Sequence, residues 1–210
     1  MFQLGLLGLA YACMVMLVEG LAARNAPKIH TAGEKCNLKE LLALTKHQVE
    51  ESLTSFDKAN GEHLGTWSPG FPELQVHNYS PLNGSKVQCS LIFMAQGLEK
   101  ILEDQYNLNP ADVLLHKNLN NAVSRVKMLK ACVENFLKGK CLKKPSPPKM
   151  PKYVFDKKQW SHTLLESAKD YLVWLQHKII VSKAKEVNKK KPHVRNTTLH
   201  KYFEGSVHHL

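Results

Sequence analysis

The sequence predicts an all-α protein folded as an up-up-down-down four-helix bundle with two long crossover loops. Four segments of about 20 to 30 residues place apolar side chains at the i, i+3, i+4 spacing of amphipathic helices. No segment alternates apolar and polar residues for long enough to require a strand. The linkers between the four segments are long, short and long. Because only a long linker can return along the bundle to a parallel neighbour, this order predicts the up-up-down-down path.

The boundaries of the four helices follow from caps and breakers. Helix α1 is predicted from Cys36 to the Asn60-Gly61 pair, α2 over residues 86–106, α3 over residues 109–139, and α4 over residues 154–183. The predicted inward-facing residues are Leu38, Leu41, Leu42, Val49, Leu53 and Phe56 on α1; Val87, Leu91, Met94, Leu98, Ile101 and Leu102 on α2; Leu115, Leu119, Ala122, Val126, Leu129, Val133 and Phe136 on α3; Trp160, Leu164, Ala168, Tyr171, Leu175 and Ile179 on α4.

Helix α3 has the clearest predicted start. Asn109 is expected to be its N-cap, Pro110 to lie in its first turn and Asp112 to lie near the positive end of the helix dipole, and Gly139 is expected to stop it. In the following linker, four prolines favour the extended conformation that a crossover of residues 140–153 needs.

Residues 1–22 are predicted to be a secretory signal peptide. Residues 2–18 are apolar apart from Gln3, and Gly20 and Ala22 supply small residues at positions −3 and −1 of a cleavage site. The alternative is a signal anchor, but the apolar run is shorter than the roughly 20 residues of a membrane span. We therefore expect a secreted, extracellular protein with no integral membrane segment, in which residues 23–182 form the helical domain.

Positive charge is concentrated in two segments. The formal net charge is +11, of which residues 139–158 carry +6 and residues 183–210 carry +5, so the remainder balances to zero. Residues 183–210 are predicted to be a disordered basic tail. The two segments are interpreted either as solvated chain or as a site of attraction to heparan sulfate. Nucleic acid is not an expected partner, because the chain is predicted to be exported and its remaining residues have no net charge.

Four cysteines remain after signal cleavage, which removes Cys13. In an oxidising compartment they predict two disulfides, and three connectivities are possible. The predicted topology gathers all four at one end of the bundle and favours the pairs Cys36–Cys141 and Cys89–Cys132. Zinc is the alternative, but the sequence has neither a CxxC pair nor an HxxxH partner. Three Asn-x-Ser/Thr triplets predict N-glycosylation at Asn78, Asn83 and Asn196.

Two runs carry a family resemblance. The run 104-DQYNLNPADVLLHKNLNNA-122 resembles the junction between the second and third helices of the leukemia inhibitory factor and oncostatin M family, and 154-VFDKKQW-160 is similar to the start of that family's last helix. The family belongs to the interleukin-6 group of long-chain cytokines, which share the four-helix fold with two crossovers. The four cysteines of the mature chain allow two disulfides, one fewer than leukemia inhibitory factor has.

The resemblance implies two receptor sites. A Phe-x-x-Lys motif at the start of the last helix is the family's main contact with the leukemia inhibitory factor receptor, and here it corresponds to Phe155 and Lys158. By spacing alone, Phe155 could instead be a hydrophobic staple or could seal the end of the core. The outer faces of α1 and α3 are expected to contact the shared signal-transducing receptor chain of the interleukin-6 group. Candidate residues there are Lys46, Glu50, Ser124, Arg125 and Met128.

The implied function is that of a monomeric secreted cytokine that brings two receptor chains together and activates receptor-associated kinases of the JAK/STAT route. No catalytic residues, cofactor or metal are expected, because the sequence has no GxSxG, HExxH or phosphate-binding glycine loop. The alternatives are a secreted amphipathic-helix lipid-binding protein and a heparin-binding factor. Narrow apolar stripes and two disulfides favour a closed bundle over a lipid carrier.

Overall fold

The fold consists of four long α-helices. A computed structural model describes residues 36–77 and 79–189, with side chains as far as residue 182. The chain divides into two units, Met1–Cys36 and Asn37–Leu210, and the helices belong to the second. They are α1 (Leu38–Asn60), α2 (Gly84–Leu108), α3 (Val113–Leu137) and α4 (Val154–Lys189). Since the described residues contain no strand, the all-α prediction is confirmed.

The packing of the helices is compatible with a four-helix bundle. Helix α1 packs against α3 and α4, and α2 packs against the same two helices. Within the described chain α1 and α2 do not pack along each other, although side-chain hydrogen bonds join their ends, and α3 and α4 do not pack on each other either. Each helix therefore has two neighbours and one diagonal partner, which places a single core between all four.

Side chains from every helix fill this core, and the largest of them is Trp160, of which 1% is exposed. The six predicted inward-facing residues of α4 are all buried, and those of α2 are buried except Leu102, which packs partly buried on the core. The prediction for Phe136 is wrong, because 43% of it is exposed. In the last turn of α3 it is Leu137, four residues after the buried Val133, that packs on the core instead.

The predicted start of α3 is also wrong. Its N-cap is Asp112, whose side chain accepts a hydrogen bond from the backbone N–H of Leu115 at 2.9 Å. Asn109 instead closes α2: its backbone N–H donates to the carbonyl of Gln105 at 2.9 Å. The Asn109 amide also donates to the side chain of Asn60 at 3.1 Å. The same amide donates to the side chain of Gln105 at 2.7 Å. Asn109 thus belongs to the end of α2, and Asp112 caps α3.

Helix α4 continues past its predicted end at Lys183 to Lys189. The first residues assigned to a disordered tail are therefore helical, and that part of the prediction is wrong. An unbroken run without Gly or Pro between Val154 and Lys189 explains the continuation, since neither helix breaker occurs there. The predicted signal peptide and the tail beyond Lys189 lie outside the described residues.

The count of two disulfides is confirmed, but the predicted pairing is wrong. Cys89 is bonded to Cys141, with 5.0 Å between their Cα atoms, and Cys36 and Cys132 are disulfide-bonded as well. The cause is a close backbone approach: a Cβ atom on Gly139 would lie 2.5 Å from the carbonyl carbon of Gly84. The chain leaving α3 therefore runs directly against the first turns of α2, where Cys89 lies.

Candidate functional site

Three apolar side chains are exposed to solvent where α4 begins. Tyr153, Val154 and Phe155 are all exposed, and 59% of Phe155 is accessible. Phe155 belongs neither to the core nor to the partly buried residues packed on it. The alternative that Phe155 seals the core is therefore wrong; the aromatic residue of α4 that is buried near this end is Trp160, five residues further along.

A nearly buried ion pair fixes the start of α4 against the end of α2. The Lys157 ammonium lies 2.7 Å from Oδ1 of Asp104, whose side chain is only 5% exposed, while that of Lys157 is 29% exposed. The backbone N–H of Lys157 donates to the carbonyl of Tyr153 at 2.9 Å, which closes the first helical turn. Because both bonds hold the same turn, the backbone that carries Phe155 has a defined position relative to α2.

Lys158 differs from Lys157 in its surroundings. It is half-buried, and among the described residues it has no acidic partner. Residues three apart lie on the same face of a helix, so Lys158 and Phe155 are neighbours there. The pair combines an apolar ring with a cation whose stem can cover the edge of that ring.

The linker between α1 and α2 holds the same end of α4 from the other side. The Gln159 amide donates to the carbonyl of Leu64 at 3.0 Å, and the backbone N–H of Trp67 donates to the Thr163 hydroxyl at 2.8 Å. The two bonds join residues that lie 95 and 96 positions apart in the chain. Helical periodicity contains no signal for them, so they could not be predicted from the sequence.

Further exposed apolar residues lie at the same end of the bundle. Tyr106 lies in the last turn of α2, and Val113 and Leu114 begin α3; all three are exposed. The ring of Tyr106 lies 4.3 Å from that of His116, which ties the two helix ends together. The Lys157–Asp104 pair brings the start of α4 to this end of α2. Exposed apolar side chains gathered at one end of a protein are typical of an interaction surface.

Within the described chain no ion pair or hydrogen bond joins the candidates on α1, Lys46 and Glu50, to those on α3. Lys46 and Glu50 pair with each other at 3.5 Å, an ordinary i, i+4 pair. The hydroxyl of Ser124 donates to the carbonyl of Asn120, Arg125 is half-buried and Met128 is exposed. Leu44 is also exposed on α1.

Asn83 is the predicted glycosylation site that the structure describes. It is exposed and caps α2, with its side-chain oxygen accepting a hydrogen bond from the backbone N–H of Lys86 at 3.1 Å. The cap uses Oδ1, whereas a glycan is attached to Nδ2, so both can coexist. Asn78 and Asn196 lie outside the described residues.

Within residues 36–77 and 79–189, no three His, Cys, Asp or Glu side chains gather as a metal site would require. None of the described helices combines the length and apolar character of a membrane span. Comparison with protein-family models, with curated proteins and with solved structures found no match to this chain.

Proposed function

We propose that the protein is a secreted cytokine of the leukemia inhibitory factor and oncostatin M type. It brings together a leukemia inhibitory factor receptor-like chain and the shared signal-transducing chain of the interleukin-6 group. Their association activates receptor-bound kinases and the JAK/STAT route. The start of α4 binds the first receptor chain, and the outer faces of α1 and α3 bind the second.

The observation that carries this proposal is the exposure of Phe155 on a fixed helical turn. Large aromatic side chains that insert into a partner's pocket are typical binding hot spots, because they bury much apolar area for few rotatable bonds. The Lys157–Asp104 pair orders the turn before binding, so little further entropy is lost when a receptor docks. Lys158 supplies an unpaired charge beside the ring that can select an acidic partner.

The proposal includes the up-up-down-down path, which three contacts between helix ends support. Asn60 donates to Gln105 at 2.9 Å, so the ends of α1 and α2 meet. The backbones of Gly84 and Gly139 meet at the start of α2 and the end of α3. Lys157 and Asp104 join the start of α4 to the end of α2. Helices α1 and α2 then run in one direction and α3 and α4 in the other.

The test is surface binding of the protein to the two receptor ectodomains. Removing the Phe155 ring should cost about 2 kcal/mol or more, roughly thirtyfold in affinity, for the leukemia inhibitory factor receptor-like chain alone. Tyr79→Ala is the matched control, since Tyr79 is an exposed aromatic residue in the linker between α1 and α2. It should leave both affinities within about twofold.

Two outcomes would contradict the proposal. If the native protein bound neither ectodomain, the cytokine function would be wrong. If Phe155→Ala bound as tightly as the native chain, with the same circular dichroism spectrum, the start of α4 would not be the receptor site.

A further inference from the structure

The linker between α3 and α4 carries a row of exposed lysines. Residues 138–152 contain six lysines and no Asp or Glu. All six side chains are exposed; they are Lys138, Lys140, Lys143, Lys144, Lys149 and Lys152. Among the described residues only Lys140 of these six has an ion pair, with Glu134 at 3.6 Å. Within the described part of the chain the other five ammonium groups have no neutralising partner, and an external anion would relieve their mutual repulsion.

The linker that carries the row is attached to the helical bundle at three places along its length. The Cys89–Cys141 disulfide fixes its beginning to the first turns of α2. Pro148 is buried and Met150 packs on the core, which holds the middle. The Lys157–Asp104 pair fixes the far end.

The first and last attachments, at Cys89 and Asp104, also show how far the linker extends along the bundle. Cys89 and Asp104 lie 15 residues apart on α2, so these two attachment points are about 22 Å apart at 1.5 Å per residue. Four prolines in the linker favour an extended backbone. The charges are therefore spread along a line and are not gathered at one point.

The fold adds a seventh lysine that the sequence run does not contain. Lys86, exposed in the first turn of α2, lines the same surface cavity of about 500 Å³ as Lys143. Glu73 also lines this cavity, so the local balance is two positive charges against one negative. Lys86 extends the row across the surface of the bundle.

We propose that this lysine row, the six linker lysines together with Lys86, binds a linear sulfated polysaccharide of the heparan sulfate type. A line of cations held in place complements a polymer that carries anionic groups at regular intervals. Because the disulfide, Pro148 and the Lys157–Asp104 pair already order the linker, binding costs less conformational entropy than it would in a free tail.

Two other polyanions fit the row less well. Nucleic acid is recognised preferentially through arginine, whose planar group binds phosphate with two hydrogen bonds, and the row contains lysine only. Stacking of bases requires aromatic residues interleaved with the cations, whereas Leu142 is the one large apolar side chain exposed within residues 138–152, and the exposed Tyr153 and Phe155 lie beyond the last lysine of the row. An anionic membrane surface favours an amphipathic helix, and these residues form none.

The test compares binding of full-length variants to immobilised heparin at physiological salt. One variant neutralises three lysines of the row, and its control neutralises three exposed lysines on α1 and α3, so both lose the same charge. The substitutions are Lys143→Gln, Lys144→Gln and Lys149→Gln in the first, and Lys39→Gln, Lys58→Gln and Lys117→Gln in the second. We expect at least tenfold weaker binding for the first and less than twofold for the control.

A single substitution tests whether the folded surface is the binding unit. Lys86→Gln should weaken heparin binding about as much as Lys144→Gln, although it lies outside the linker, whereas Lys39→Gln should have no measurable effect. An unchanged affinity for Lys86→Gln would overturn the proposed surface.

Further arms identify the ligand. Desulfated heparin, a DNA duplex and phosphatidylserine vesicles should each bind more weakly than heparin at the same salt. Equal or tighter binding of any of them, equal weakening by the control triple, or loss of binding on deletion of residues 190–210 alone would overturn the proposal. Receptor binding is a separate readout: the Lys143, Lys144 and Lys149 substitutions leave Phe155 and Lys158 intact, so the two proposals can fail independently.

Discussion

Replacing Lys157 by methionine should destabilise the fold, although the same change one residue later should not. The side chain of Asp104 is 5% exposed, and Lys157, at 2.7 Å, is its only cation among the described residues. Breaking a fully buried ion pair by removing one partner costs about 3 to 5 kcal/mol. Because the Lys157 side chain is 29% exposed and water can partly replace it, we expect about 2 to 3 kcal/mol for Lys157→Met.

Equilibrium urea unfolding followed by circular dichroism measures this loss. With a slope of about 2 kcal/mol per molar urea, the midpoint should fall by roughly 1 M. Lys158→Met is the matched control, since it removes the same group from the next position, where the described chain offers no acidic partner; its free energy of unfolding should stay within about 0.5 kcal/mol of the native value. In receptor binding we expect the opposite: Lys158→Met should weaken the affinity more than Lys157→Met does, because Lys158 belongs to the proposed contact.

A second substitution separates the ion pair from general damage to the helix. In the double variant Asp104→Asn with Lys157→Met no uncompensated charge is buried, so it should recover at least about 1 kcal/mol relative to Lys157→Met alone. If Lys157→Met shifted the urea midpoint no more than Lys158→Met, or if the double variant were the least stable of the set, the ion pair would not fix the start of α4.

Three further predictions concern the rest of the bundle. Gly139→Ala should cost about 1 to 3 kcal/mol, because the new methyl group meets the backbone of Gly84; an unchanged urea midpoint would contradict this close approach. Reducing the Cys89–Cys141 bond, which closes a separation of 52 residues, should cost about 4 kcal/mol by chain entropy. Peptide mapping of the unreduced protein should recover Cys89 linked to Cys141, and a fragment linking Cys89 to another cysteine would contradict it. Burial raises the pKa of Tyr171 from 10.0 to about 12, against the lowering effect of the Ser90 hydrogen bond. Since the unfolded chain releases this proton first, stability should be complete below pH 10 and fall between pH 10 and 12 by up to about 3 kcal/mol, and Tyr171→Phe should abolish that part of the fall.

The sequence predicts the helices and their inner faces well where periodicity is long. In α4 every predicted inward-facing residue is buried, because six apolar positions in register leave little choice of face. At a helix end the same reasoning weakens: Phe136 and Leu137 are adjacent, and packing alone decides which of them turns inward. The Asn-Pro-Ala-Asp junction offers two capping residues; in the structure Asn109 closes α2 and Asp112 caps α3.

Features that depend on contacts between distant residues were not predictable. The disulfide of Cys89 follows from the backbone contact of Gly84 with Gly139, which has no periodic signal in the sequence. The motif at the start of α4 could be located from sequence, but its exposure could not. The difference between Lys157 and Lys158 could not be predicted either, because it depends on the position of Asp104, which pairs with Lys157 and not with Lys158.

The most direct test of the proposed function is the mass of the complex formed with both receptor ectodomains, measured by size-exclusion chromatography with light scattering. The native protein should form one complex that contains a single copy of itself and both receptor chains. Phe155→Ala should retain the shared signal-transducing chain and lose the leukemia inhibitory factor receptor-like chain. A native protein that elutes alone in the presence of both ectodomains would contradict the proposed function.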